Sequence, residues 1–195
     1  MFVVVGLGNP GVEYEHTRHN VGRIALSRFL KDHAFPELVS SGKYASLISE
    51  GAVGKEKTLV MFPETFMNKS GSAVKKAVAS KKQAEKLIVV HDDIDLPFGS
   101  MKISVGRGSG GHNGVASVIR SVGTKDFVRI RVGVAPATPS GNVRKPKGEQ
   151  KVVDFLMGDF KKAEEVKLKH VTKNVSGAVE MCITDGVAAA MNAYN

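Results

Sequence analysis

The stretch Phe2-Val-Val-Val-Gly-Leu-Gly-Asn-Pro-Gly11 begins with an apolar, β-branched run and ends in a turn rich in glycine. Short apolar runs that are bounded by turn residues are typical of strands buried on both faces. The segment that follows has apolar residues at helical spacing and predicts a helix over Val21–Lys31. A buried strand followed by a helix is the unit from which α/β sheets are built.

Strands and helices alternate along the rest of the chain. Strands are predicted at Lys43–Ser49, Thr58–Phe62, Leu87–Val90, Met101–Val105 and Phe127–Val134. Further helices are predicted near Ala73–Val78 and Val115–Ser121, and over most of Ala163–Tyr194, where glycines interrupt the helical pattern. The irregular stretch Pro136–Gly148 is rich in Pro, Gly, Lys and Arg, which is typical of a functional or mobile loop. We therefore predict the α/β class, with residues 1–195 forming a single globular domain around a twisted mixed, mostly parallel β-sheet flanked by helices.

The composition restricts the partners and the compartment. There are 28 Lys and Arg residues against 19 Asp and Glu, a net charge of +9, which suits a polyanion such as nucleic acid and equally a merely soluble basic surface. The single cysteine excludes an internal disulfide and a cysteine-based zinc site. No apolar run reaches the ~18 residues of a membrane helix, and no signal peptide is recognisable, so we expect a cytoplasmic protein without membrane contact.

The segment Gly6–Gly11 also matches the Gly-x-Gly-x-x-Gly pattern of dinucleotide-binding proteins. Pro10 has no backbone N–H to offer a pyrophosphate, and residues 12–20 show no helical apolar period. We therefore expect no nucleotide cofactor, and interpret the segment as a tight turn that holds Asn9 against a ligand.

A polar loop between the first strand and the first helix contains His19. Loops beyond strand ends are where α/β proteins place their sites, and a basic histidine needs a partner that orients it. Asp92 and Asp93 follow another predicted strand and are the candidate partners. There is no Gly-x-Ser-x-Gly elbow, and Cys182 lies in an apolar helical pattern. The predicted nucleophile is therefore water, activated by His19 with Asp92 behind it.

Two further polar loops precede helices, at Met67–Gly71 and Gly108–Gly114. Backbone N–H groups at such positions can bind an anion or a developing oxyanion. The plain alternative is a simple turn, with Asn113 as the helix N-cap. Together, Asn9, Asn68 and Asn113 would present three amide side chains that suit the recognition of peptide groups.

A metal centre is the alternative to water activated by histidine. His91, Asp93 and Asp95 would lie on one face of an extended segment and could hold a hard cation for a metal-dependent hydrolase. A run of acidic residues after a strand is more often a solvated turn. We therefore expect no metal.

Five segments resemble, in family order, the motifs of bacterial-type peptidyl-tRNA hydrolases. They are Val5–Gly11, Tyr14–Gly22, Phe66–Gly71, His91–Pro97 and Gly110–Gly114. The resemblance implies a monomeric α/β enzyme without metal or cofactor. It also implies hydrolysis of the ester that joins the C-terminal carboxyl of a peptide to the 3′-terminal ribose of tRNA. This reaction frees tRNA from peptides that are released prematurely.

The resemblance also implies roles for individual residues. His19 would be the general base, and Asp92 would keep it basic and correctly oriented. Asn9 would help to distinguish a blocked peptidyl amine from a free one. The substrate-binding positions, at the peptide and the 3′ CCA end, would be Asn9, Tyr14, Phe66, Met67, Asn68, His112 and Asn113.

The family often binds the 5′-phosphate of tRNA with two basic residues, one on the strand before the Gly-Gly-His-Asn loop and an arginine on the next strand. Arg131 matches the arginine, but Ser104 stands at the first position. Lys102 shares a strand face with Ser104, and Arg107 stands where the family usually has a glycine, so either could compensate. We therefore predict a clamp of Lys102, Arg107 and Arg131 beside the acceptor stem. A non-catalytic RNA-binding module that keeps the cleft is the alternative function.

Overall fold

Phe2–Gly6 forms the strand β1 at the centre of the sheet, in the computed structural model, which describes residues 1–138 and 140–195. The other strands are β2 (Val39–Ser41), β3 (Ser46–Val53), β4 (Glu56–Pro63), β5 (Leu87–Pro97), β6 (Met101–Val105) and β7 (Val128–Ala135). The helices are α1 (Val21–Asp32), α2 (Ser70–Ala77), α3 (Lys81–Ala84), α4 (Asn113–Val122), α5 (Glu149–Met157), α6 (Glu165–Thr184) and α7 (Val187–Tyr194).

The seven strands make one mixed sheet in the order β2-β3-β4-β1-β5-β7-β6. The central strands β4, β1, β5 and β7 run parallel, and β2, β3 and β6 add antiparallel pairs at the edges. This confirms the predicted α/β class. Because the central strands are parallel, their carboxyl ends lie at one edge of the sheet, where α/β proteins build their sites.

Strand β1 explains why the apolar run is continuous. Val4 packs with α1 and α6 on one face of the sheet, while Val3 and Val5 pack with α2 and α4 on the other. Successive side chains of a strand point to opposite faces, so a strand covered on both sides needs apolar residues at every position. The result is a three-layer domain with a core on each side of the sheet.

The structure corrects several predicted boundaries. Strand β5 continues past the predicted end at Val90, because the backbone of Asp92 and Asp93 still pairs with β7 before an irregularity between Asp93 and Pro97. The C-terminal helical region, in contrast, is interrupted by a glycine as predicted. It divides into α6 and α7 at Gly186, whose φ of +91° favours glycine. Within the predicted loop Pro136–Gly148, Pro139 lies outside the described residues. No helix in the described part of the chain is long and apolar enough to cross a membrane.

Candidate active site

A cavity of about 610 Å³ opens at the carboxyl edge of the parallel strands. All nine predicted catalytic and substrate-binding residues line it, namely Asn9, Tyr14, His19, Phe66, Met67, Asn68, Asp92, His112 and Asn113. They come from the ends of β1, β4 and β5, from the turn before α1 and from the start of α4. The structure therefore brings together residues that are distant in the sequence.

Close packing between α1 and the sheet brings His19 to Asp92. His19 lies in the single 3₁₀ turn Arg18–Asn20 that leads into α1. A Cβ atom at Gly22 would overlap the carbonyl oxygen of Val90, so glycine lets the first turn of α1 contact β5 two residues before Asp92. His19 Nδ1 lies 2.9 Å from Asp92 Oδ1 as a result.

His112 determines how Asp92 is held from its other side. It is the N-cap of α4, and its Nδ1 accepts hydrogen bonds from the backbone N–H groups of Gly114 and Val115, at 3.1 and 3.2 Å. Because Nδ1 accepts, the neutral ring carries its proton on Nε2 and donates it to Asp92 Oδ1, at 2.9 Å. The plain alternative, in which Asn113 caps α4, does not hold, because the side chain of His112 occupies the cap position.

The carboxylate of Asp92, which His19 and His112 share, sets the tautomer and the basicity of His19. A carboxylate only accepts hydrogen bonds, so His19 carries its proton on Nδ1 and keeps a lone pair on Nε2. Burial by itself would raise the pKa of Asp92, but the two imidazoles outweigh it and hold this pKa well below its usual range. Burial would likewise lower the pKa of His19, but the charge of Asp92 and the hydrogen bond to it raise this pKa above its ordinary value. His19 is thus arranged to accept a proton on Nε2.

Asn9 is oriented by hydrogen bonds to both its side chain and its backbone. Its Oδ1 accepts from the backbone N–H of Met67 at 2.9 Å, and its own backbone exchanges two hydrogen bonds with the side chain of Asn20. Among the described residues, the Nδ2 group has only the weak acceptor Met157 Sδ as a partner, at 3.9 Å. Asn9 therefore has an N–H donor available for a carbonyl oxygen of a bound ligand.

Helix α5 forms an apolar wall of the cavity that the sequence analysis did not assign to the site. The wall consists of Val152, Val153, Leu156 and Met157. Arg18 ties this helix to the loop of His19, because its guanidinium donates to the carbonyl oxygens of Gly158 and Asp159, at 3.0 and 2.8 Å. Arg18 also pairs with Glu164 at 2.9 Å. The cavity thus has a polar side made by strand ends and an apolar side made by α5.

The described residues do not assemble the alternative metal centre. Asp93 is paired with Arg131 at 2.6 Å, Asp95 is paired with Lys145, and His91 is buried. The three groups whose possible ligand atoms do lie within 4.8 Å of one another are His19, Asp92 and His112. His19 Nδ1 and His112 Nε2 both donate N–H hydrogen bonds to Asp92, so hydrogen bonds within the cluster satisfy these groups.

A second, basic cavity of about 640 Å³ adjoins the first and shares Asp93, Ser109 and Gly110 with it. All three predicted clamp residues, Lys102, Arg107 and Arg131, line this cavity together with Ser104 and Arg129. The side chain of Arg131 is engaged by Asp93, whereas Lys102 and Arg107 are exposed. The structure therefore places the three cations around one concave surface.

Arg129 is a basic residue of this cavity that the sequence analysis missed. It lies opposite Ser104 in the β6–β7 ladder and donates to the carbonyl oxygen of Gly108 at 2.8 Å. Its Nε and the Ser104 Oγ are buried without a hydrogen-bond partner among the described residues. The alternation of Arg129 and Arg131 along β7 is the sequence signal that could have identified it.

Comparisons with known proteins agree over the whole chain. The family described as "Peptidyl-tRNA hydrolase" matches residues 3–195. The chain is 39% identical to the peptidyl-tRNA hydrolase of Syntrophotalea carbinolica over 196 residues, covering 100% of this chain and 97% of that protein. It is 38% identical to that of Thermodesulfovibrio yellowstonii over 198 residues, covering 100% and 99%. The crystal structure of peptidyl-tRNA hydrolase from Acinetobacter baumannii superposes with a TM-score of 0.87 at 26% identity, covering 100% of this chain and 96% of that one.

Proposed function

Since the chain belongs to the peptidyl-tRNA hydrolase family, we propose that it hydrolyses the ester between the C-terminus of a peptide and the 3′ ribose of tRNA. This reaction would recycle tRNA from prematurely released peptidyl-tRNA. The observation that supports it best is the 2.9 Å pair of His19 and Asp92 inside a cavity that Asn9, Asn68 and Asn113 also line. Action as a cytoplasmic monomer, without a metal or cofactor, is part of the proposal.

In the proposed mechanism, His19 acts as a general base through Nε2. It removes a proton from a water molecule as the water oxygen attacks the ester carbonyl carbon, and Asp92 stabilises the imidazolium that forms. The tetrahedral intermediate then collapses, the bond from carbonyl carbon to ribose oxygen breaks, and His19 returns the proton to that 3′ oxygen. The products are a free peptide carboxyl group and a tRNA with a free hydroxyl group.

The remaining cavity residues are proposed to bind the two parts of the substrate. Asn9 Nδ2 would donate to a peptide carbonyl oxygen, and Asn68 and Asn113 would contact the peptide and the 3′ end. Tyr14 and Phe66, which is 59% exposed, offer aromatic faces to the terminal bases of the CCA end. Met67 and His112 complete the wall of the cavity, and the apolar side chains of α5 would contact the peptide.

Release of an N-blocked aminoacyl or peptidyl label from tRNA tests this proposal directly. We expect wild-type protein to release the label at the same rate with and without EDTA, because His19 and Asp92 supply the base. Loss of release in EDTA would instead favour a metal-dependent hydrolase. A folded protein that binds tRNA and releases nothing would support the RNA-binding module.

The rate should depend on pH through His19. Only the unprotonated ring can accept a proton, and Asp92 raises the pKa of this ring. We therefore expect kcat/KM to increase with pH and to level off above a pKa higher than the ~6.5 of an ordinary histidine. The profile should be measured with a slow substrate for which chemistry limits the rate. A flat profile between about pH 5 and 8 would contradict the assignment of His19 as the base.

The basic cavity is proposed to bind the 5′-phosphate of the acceptor stem through Lys102, Arg107 and Arg131. Lys102→Gln and Arg107→Gln are each expected to raise KM with little change in kcat. Each should also reduce the slope of log affinity against log salt by about 1, because one phosphate contact is lost. Lys81→Gln is the matched control, since Lys81 is exposed in α3, which precedes the amino end of β5. An unchanged KM and salt slope in both test variants would remove them from the clamp.

A further inference from the structure

A third histidine, His91, lies directly behind the His19–Asp92 pair. It is buried, with 1% of its surface exposed, and its Nδ1 is 2.7 Å from the backbone carbonyl oxygen of Asp92. A carbonyl oxygen only accepts hydrogen bonds, so His91 carries its proton on Nδ1 and donates it to Asp92. The ring meets His112 edge-on, with ring centroids 4.8 Å apart and an interplanar angle of 71°.

The surroundings of His91 keep its ring uncharged. Burial lowers the pKa of His91 well below its usual range, and the charge of Arg129 acts in the same direction. Asp92 opposes them without reversing the shift. His91 therefore supplies an N–H donor to Asp92 without adding a positive charge that would compete with protonated His19 for the carboxylate.

The hydrogen bond from His91 to the carbonyl group of Asp92 lies at a position in β5 where it can hold the backbone in place. The pairing of β5 with β7 becomes irregular directly after Asp93, so the sheet holds the backbone less regularly there. His91 binds the carbonyl group of Asp92 just before this irregularity and packs against His112, the other ring that contacts Asp92. The ring of His91 thus contacts both the main chain of Asp92 and His112, the side-chain partner of Asp92.

We propose that His91 is a positioning residue for the hydrolysis, which holds Asp92 Oδ1 where it can accept from His19 and His112 together. The inference rests on the proposed function in so far as it concerns the rate. In structural terms, the hydrogen bond between Asp92 and His19 depends on the N–H group of His91, and so does the raised basicity of His19.

A pair of variants tests this dependence. In His91→Asn the amide Nδ2 can replace the ring Nδ1 as donor, whereas His91→Leu has a similar bulk and no donor. We expect His91→Leu to lower kcat by about ten- to a hundredfold with KM nearly unchanged, which is the scale of a displacement of about 1 Å at a catalytic group. The pKa of His19, measured by NMR titration of its ring, should fall in His91→Leu and stay close to the wild-type value in His91→Asn.

The NMR titration keeps the inference testable whatever the activity. If wild-type protein releases no peptide, the proposed function fails, while the pKa of His19 in the two variants still decides the role of His91. If His91→Leu does not fold, His91→Gln, whose amide nitrogen corresponds to Nε2, replaces it as the variant without a donor at the Nδ1 position. An unchanged pKa of His19, or an equal loss of kcat in the Asn and Leu variants, would overturn the proposal.

Discussion

Replacing His19 with alanine is expected to lower kcat by about 10²- to 10⁴-fold, the usual contribution of a general base. The imidazole is the group in the cavity whose Nε2 can take a proton from water, because its Nδ1 is committed to Asp92. The affinity for tRNA should change little, since the proposed contacts with RNA lie in the basic cavity and at the aromatic side chains of the cleft. Single-turnover release of an N-blocked label, with tRNA binding measured separately, distinguishes the two effects.

His16→Ala is the matched control for this variant. His16 lies in the same loop but is exposed, and it is absent from the lining of the cavity. Its rate should equal that of the wild type. Retention of full activity by a folded His19→Ala protein would show that another group activates the water.

Replacing Asp92 with asparagine should have the second large effect. The variant keeps the size of the side chain but removes the charge that fixes the tautomer of His19 and stabilises its protonated form. In catalytic units of this kind the equivalent change costs up to about 10⁴-fold in kcat. We expect a loss of about 10²- to 10⁴-fold, with the pKa in the kcat/KM profile shifted downward because the raising influence on His19 is gone.

Asp95→Asn provides the comparison, since Asp95 lies on the same strand but is exposed and pairs with Lys145. It should keep the wild-type rate and pH profile. If Asp92→Asn lowered the rate while the apparent pKa stayed in place, the coupling between Asp92 and His19 inferred from the geometry would be wrong.

Much of the fold is predictable from the chain because its strongest signals are local. The apolar run before Gly6 and the helical spacing from Val21 onward each determine an element without reference to the rest of the molecule. The end of β5 is different. The polar run that begins at His91 is typical of a turn, yet His91–Asp93 stay in the strand because they pair with β7, and sequence periodicity contains no information about that neighbour.

The candidate site likewise has a part that local sequence signals predict and a part that depends on distant residues. The polar loops identified His19, Asp92 and the three asparagines, because chemistry-bearing residues cluster at strand ends. The family resemblance added Tyr14, Phe66, Met67 and His112. All nine residues line the cleft, and their individual roles stay predictions. The contacts that hold them are long-range and have no local pattern. Arg18 donates to carbonyl groups that follow α5, and the ring of His112, not Asn113, caps α4. Both contacts depend on the path of the chain in three dimensions, which the sequence pattern does not contain.

The contact between Arg18 and the residues that follow α5 affects how the cleft forms during synthesis of the protein on the ribosome. The ribosome delivers the chain from its N-terminus, so Asn9, His19 and Asp92 emerge well before α5 at Glu149–Met157. Until that late segment has appeared, the guanidinium of Arg18 lacks the carbonyl groups of Gly158 and Asp159, and one wall of the cleft is missing. A nascent chain therefore completes its cleft only after α5 has been synthesised.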